Sequence, residues 1–104
     1  MYPPQRIVTN IPRAQLEQAI RELEQSIEVD RVEIGHYQIL EQMLSATSLR
    51  EVGGREVPMG VDFALREKYE MKSVLQGLVR MEYDEINGKQ EVISFLNRLK
   101  AYAT

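Results

Sequence analysis

The only histidine of the chain, His36, is the first candidate for acid–base chemistry. A catalytic imidazole needs a nucleophile and an orienting carboxylate around it. On a helix its neighbours are Glu33, three residues before it, and Leu40, four residues after it, so no serine or cysteine nucleophile lies on the adjacent turns. A partly exposed histidine on a helix surface explains the pattern better, and we expect a protein that is not an enzyme.

Three carboxylates, Glu82, Asp84 and Glu85, are the next candidates, because clustered carboxylates can bind a metal ion or act as an acid–base pair. Successive residues of a helix point in different directions, so Asp84 and Glu85 diverge. Helical di-iron sites repeat a Glu-x-x-His pair on two helices, which a chain with one histidine cannot do. The sequence therefore predicts a solvated acidic face, with no metal site and no cofactor.

Residues 50–57 read Arg-Glu-Val-Gly-Gly-Arg-Glu-Val, a copied triad on either side of two glycines. A Gly-Gly loop tolerates the positive φ angles of a tight turn, which predicts a β-hairpin over residues 49–58. Glycine N–H groups and guanidinium groups also bind oxyanions, although the lysine and serine of a P-loop are missing. The candidate contacts for an anion or a partner are Arg50, Gly53, Gly54 and Arg55.

Composition limits the classes of function. The chain has 104 residues, a net charge of −3, a pI near 5.2 and no cysteine, which predicts one domain in a reducing compartment. The acidic balance disfavours direct binding of nucleic acid, which normally uses a concentrated basic face. No signal peptide begins the chain, and no run approaches the roughly 18 apolar residues that a membrane span needs. We expect a cytoplasmic protein with no membrane partner.

In the first half of the chain, the sequence predicts an extended, proline-rich arm over residues 1–10 and a helix over 11–48. Asn10 is suited to cap this helix, with Pro12 in its first turn. A single helix is slightly favoured over two, since Asp30 and Glu33 form a capping pattern that could begin a second one. Apolar residues at three- and four-residue steps predict an oligomer or partner interface: Leu16, Ile20, Leu23, Ile27, Ile34, Tyr37 and Leu44.

A second apolar set lies partly off that line. A helix that is apolar on more than one flank needs more than one neighbour, which favours a homo-oligomer. This second set comprises Ala19, Val29, Val32, Ile39, Leu40 and Met43.

The second half predicts a helix over residues 62–86 and another over 88–103, separated at Asn87-Gly88. The fold class is therefore mainly α: a long N-terminal helix, either straight or kinked, a short Gly-Gly β-hairpin and two further helices. A small α+β fold is the alternative, because residues 57–65 alternate in polarity and Asn-Gly is a strong hairpin signal. In that alternative, residues 57–92 form a small sheet.

The order of helix, Gly-Gly-Arg turn and helix resembles the helix–hairpin–helix plan of small phage head–tail joining proteins, over residues 38–80 at most. This resemblance implies a ring-forming adaptor associated with a virion. A second resemblance, to prefoldin subunits, uses Val57-Pro58-Met59 and the segment 91–99, and it implies a coiled-coil chaperone.

Together these observations predict a non-enzymatic helical assembly or adaptor protein that self-associates and docks on a larger complex. Its partners are then itself and another protein, in the cytoplasm or in a virion. The alternative is a small inhibitor or ligand-binding protein, such as a phage-encoded blocker of a host enzyme, whose acidic segment 28–41 meets a basic target.

Overall fold

The computed structural model describes residues 8–48 and 60–103, with side chains from residue 64 onward in the second range. Two helices make up nearly all of it: α1, Arg13–Ala46, of 34 residues, and α2, Gly60–Lys100, of 41 residues. Within the described ranges the remaining backbone pairing is one parallel bridge between Thr9 and Ala103. The prediction of a mainly α protein with a long first helix is confirmed.

Helix α1 runs without interruption past Asp30, so the alternative of two helices is not adopted. Its first turn follows Pro12, whose carbonyl accepts hydrogen bonds from the backbone N–H groups of Gln15 and Leu16. The Asp30 side chain is buried and bonds to Lys89 of α2, so it is not available to cap a new helix. Packing has therefore overridden a local capping signal.

The separate third helix is a wrong prediction, because α2 continues through Asn87-Gly88 to Lys100. The sheet alternative over residues 57–92 also fails in its described part, which is helical from residue 60. An Asn-Gly pair inside a helix destabilises it by only about 1–2 kcal/mol relative to two alanines. Burial of Ile86 on one side of the pair outweighs that cost, and the half-buried Ile93 extends the packing on the other.

The predicted Gly-Gly hairpin over 49–58 lies outside the described residues. The same holds for its four candidate contact residues, Arg50, Gly53, Gly54 and Arg55, and for residues 1–7 of the proline-rich arm.

The glycines inside α2 give a direct test of its continuity. A Cβ atom built on Gly77 or Gly88 meets no other atom within 4 Å. We expect Gly88→Ala and Gly77→Ala each to raise the free energy of unfolding by about 0.5–1 kcal/mol, since alanine is the better helix former. Urea denaturation followed by circular dichroism measures this. A loss of stability in Gly88→Ala would instead indicate a helix end at Asn87-Gly88.

The chain divides into two compact units, each built from one segment of each helix. The terminal unit contains the described parts of Met1–Asp30 and Asp84–Thr104, and the central unit contains those of Arg31–Tyr83. In the terminal unit the Arg13 guanidinium donates to the Lys100 carbonyl, and Asp30 pairs with Lys89. The partners on α2 therefore have lower residue numbers as the residue numbers on α1 increase, so the two segments are antiparallel.

The central unit is also an antiparallel pair. Near one end the Lys68 ammonium donates to the Thr47 carbonyl, and further along the Gln76 amide donates to the Glu41 carboxylate at 2.8 Å.

Within the described ranges, neither helix has a segment long and apolar enough to cross a membrane.

Candidate interaction surfaces

The inward face of α1 follows a seven-residue repeat of alternating three- and four-residue steps, the spacing of a coiled-coil seam. The positions at those steps are Leu16, Ile20, Leu23, Ile27, Asp30, Ile34, Tyr37, Glu41 and Leu44. On α2 the same spacing is kept by Leu65, Lys68, Lys72, Leu75, Val79, Glu82, Ile86, Lys89, Ile93, Leu96 and Lys100. These are positions a and d of the repeat, and the other positions are lettered from them.

The seven residues that the sequence predicted at an oligomer or partner interface all lie on this seam. Leu16, Ile20, Ile27 and Ile34 are buried in the single chain, and Leu23, Tyr37 and Leu44 are half-buried. The neighbour that covers them in each unit is the α2 segment of the same chain. A role for them between molecules stays a prediction, while their role as the intramolecular core is visible.

A charged pair lies inside the core of the terminal unit. Asp30 is only 5% exposed, and its carboxylate lies 2.5 Å from the Lys89 ammonium, whose side chain is 22% exposed. Glu85, one turn before Lys89, places a second carboxylate 3.8 Å from the same ammonium. A polar pair at seam positions bonds well in one alignment of the helices, so it favours one register over its neighbours.

Near the chain ends, further polar contacts hold the terminal unit. The Lys100 ammonium lies 3.7 Å from the Glu17 carboxylate, and the Thr9 N–H donates to the Tyr102 carbonyl at 3.0 Å. These contacts are partly exposed, so each contributes only modestly to stability.

The terminal unit also has an exposed apolar stripe on α2. Val92 and Phe95 are 47% and 51% exposed, and the half-buried Leu99 continues the same row. Charges of opposite sign flank the stripe, with Glu91 four residues before Phe95 and Arg98 three residues after it. The Arg98 guanidinium lies 5.9 Å from the centre of the Phe95 ring.

The central unit has an apolar side formed by both of its helices. Leu40 lies at position g of α1, as Met71 and Leu78 do on α2, and the g positions of an antiparallel pair share one side. The neighbouring c and f positions extend this side. We define the apolar side of the central unit as Val32, Ile39, Leu40, Met43, Met71, Val74, Leu78 and Met81, of which all except Leu78 are exposed.

Charge in the central unit is segregated between its two sides. Glu33, Glu67 and Glu70 lie at g, c and f positions, at the rim of the apolar side, and no described lysine or arginine shares that side. The opposite side, at e and b positions, has polar residues and three arginines but no acid among residues 31–48 and 64–83. Its members include Arg31, Arg66, Arg80, Gln38, Gln42, Ser45, Ser73, Tyr69 and Tyr83.

The residues first considered for catalysis lie on the two helices, and most of them are exposed. His36 is exposed at a c position of α1, on the apolar side of the central unit. Asp84 and Glu85 are exposed and Glu82 is half-buried. A shallow pocket of the central unit is lined by Gln38, Glu41, Gln42, Ser45 and Ala46.

No family model, curated protein or solved structure matches this chain.

Sequence reasoning recognised the second apolar set on α1 but missed the corresponding stripe on α2. The signal was present, because Met71, Val74, Leu78 and Met81 keep three- and four-residue steps, as do Val92, Phe95 and Leu99. Spacing alone did not separate these residues from the seam residues beside them, such as Leu75 and Leu96, so each set was interpreted as one apolar face.

Proposed function

We propose that this chain is a non-enzymatic helical assembly protein that self-associates and docks on a larger complex. The observation that carries the proposal is the half-exposed stripe of Val92 and Phe95 in the terminal unit, flanked by Glu91 and Arg98. An intramolecular seam already occupies the other face of α2, so this stripe is available to another molecule.

The stripe suits a second copy of the same chain. When two copies pair antiparallel about a two-fold axis near Phe95, Glu91 of each copy meets Arg98 of the other. Both ion pairs form at once because the interface is self-complementary. The two phenylalanines meet near the axis, and apolar surface from both copies leaves water, which supplies most of the favourable free energy.

Replacement of Phe95 by glutamate tests self-association. We expect Phe95→Glu to lower the molar mass measured by light scattering to that of one chain, because it places two carboxylates at the centre of the interface. Ser94→Glu is the matched control: it adds the same charge on the same turn, but on the polar side, and should retain the mass of the wild type. Equal behaviour of the two variants would contradict the proposed interface.

A charge exchange makes the test specific. Arg98→Glu places like charges opposite each other and should weaken the dimer, whereas Glu91→Arg combined with Arg98→Glu restores opposite charges and should recover it. An exposed ion pair contributes about 0.2–1 kcal/mol, so the shift in the dimerisation constant is expected to be a few-fold for each pair. A double variant that is weaker than Arg98→Glu alone would contradict the two-fold arrangement.

A larger assembly, including a phage virion, belongs to this proposal through the resemblance to head–tail joining proteins. The second candidate function is a small inhibitor of a basic target, which is favoured by the acidic rim formed by Glu33, Glu67 and Glu70. A monomeric wild-type chain that binds a host enzyme tightly would favour this alternative.

A further inference from the structure

We propose that the apolar side of the central unit binds an amphipathic helix of another protein whose polar flanks are rich in lysine and arginine. This inference deepens the docking half of the proposed function, and it uses a different unit from the self-association stripe. Three features of the surface support it: its shape, its residue types and its charge.

The first feature is the presence of two parallel rows of apolar side chains. Leu40 and Met43 of α1 share this side with Met71, Val74 and Leu78 of α2, so the shallow groove that two packed helices leave between them is apolar here. An amphipathic helix packs its apolar stripe against such a groove, with anchors at i, i+3, i+4 and i+7.

The second feature is the exposure of methionine. Met43, Met71 and Met81 are 60%, 44% and 64% exposed, so three of the five methionines of the chain lie on this one surface. Methionine is unbranched and polarizable, so it adapts its shape to different apolar partners. A core residue type concentrated on an exposed surface indicates binding.

The third feature, charge, selects the occupant. Glu33, Glu67 and Glu70 border the apolar side, and a partner with basic flanks would pair with them. A second copy of this chain would bring its own acidic rim against the first, so like charges would meet. The complementary partner is therefore a different, basic helix.

A pair of synthetic peptides tests this inference with the full-length chain. The probe is a fluorescently labelled leucine–lysine amphipathic peptide of about 18 residues, which makes five helical turns. The matched peptide has glutamate in place of lysine. Fluorescence anisotropy should show micromolar binding of the lysine peptide, weakened by added salt, and at least about tenfold weaker binding of the glutamate peptide. Equal affinity for both peptides, or binding of neither, would overturn the inference.

Two sets of variants locate the binding surface. Met81→Gln combined with Val74→Asn should weaken binding of the lysine peptide about tenfold or more. Glu67→Gln with Glu70→Gln should also weaken peptide binding severalfold. Gln42→Lys with Ser73→Lys changes the net charge by the same amount on the opposite side, and it should weaken peptide binding less. If the opposite-side variant weakens binding as much as the glutamate variant, the acidic rim is not the determinant.

The mass of each variant separates this inference from self-association. If Phe95→Glu forms monomers but the lysine peptide does not bind, self-association stands and the helix-binding inference fails. If Met81→Gln with Val74→Asn abolishes self-association, a second copy occupies this surface, and the inference is again overturned. Peptide binding to monomeric Phe95→Glu, together with unchanged mass in the Met81 variant, is the expected pair of results.

Discussion

Ile27→Ala is expected to lower the free energy of unfolding by about 2–4 kcal/mol, because it leaves a cavity in the seam of the terminal unit. Ile27 is 5% exposed, and its side chain lies among the buried seam residues of that unit. For a domain of this size, such a loss is a large fraction of the total stability. Urea denaturation followed by circular dichroism at 222 nm, the helical band, measures it.

Ile39→Ala is the matched control, since it removes the same atoms from the same helix at a side chain that is 56% exposed. Its expected effect is within about 0.5 kcal/mol, because little buried surface is lost and alanine has the higher helix propensity. Comparable losses for the two variants would mean that the inward and outward faces of α1 are wrongly assigned.

Asp30→Ala should destabilise the chain by about 2–3 kcal/mol. The change removes the carboxylate nearest to the Lys89 ammonium, which lies in a largely desolvated part of the terminal unit. The loss is expected to be smaller than for a fully buried pair, because Lys89 is partly exposed and Glu85 lies 3.8 Å away. Lys89→Met should produce a loss of similar size, since it leaves the buried carboxylate of Asp30 without this ammonium.

The double variant Asp30→Leu with Lys89→Met separates the cost of breaking the pair from its net contribution. In this variant, apolar side chains of similar size replace both charged side chains. Its free energy of unfolding should therefore lie within about 1 kcal/mol of the wild-type value or exceed it. Chemical denaturation of the wild type, Asp30→Leu, Lys89→Met and the double variant gives the interaction energy by a double-mutant cycle. Losses that simply add in the double variant would contradict a direct interaction between the two side chains.

Most of the helical architecture can be read from apolar spacing. The steps from Leu16 to Leu44 predict α1 correctly, and the content of good helix formers predicts most of α2. Local signals failed where tertiary packing opposed them. Asp30 resembles a cap in the sequence but bonds to Lys89, and Asn87-Gly88 resembles a helix end but lies within α2.

The interaction surfaces were harder to predict because periodicity shows that a stripe is apolar without showing what covers it. The seam from Leu16 to Leu44 and the stripe containing Val32 and Ile39 have similar spacing, yet one is largely covered within the chain and the other is exposed. The distinction depends on the alignment of α2, which Asp30 and Lys89 help to fix. Glu67 and Arg66 are adjacent in the sequence but lie on different sides of the central unit. Only the alignment of the two helices shows which of them borders the exposed apolar residues.

Sedimentation equilibrium of the wild-type chain over the micromolar range tests the central claim most directly. That claim is that an apolar surface remains for other molecules after the intramolecular seam has formed. We expect a concentration-dependent shift from the 12.1 kDa chain to a discrete multiple of that mass. A mass of one chain at every concentration would contradict self-association through the exposed stripe at Phe95.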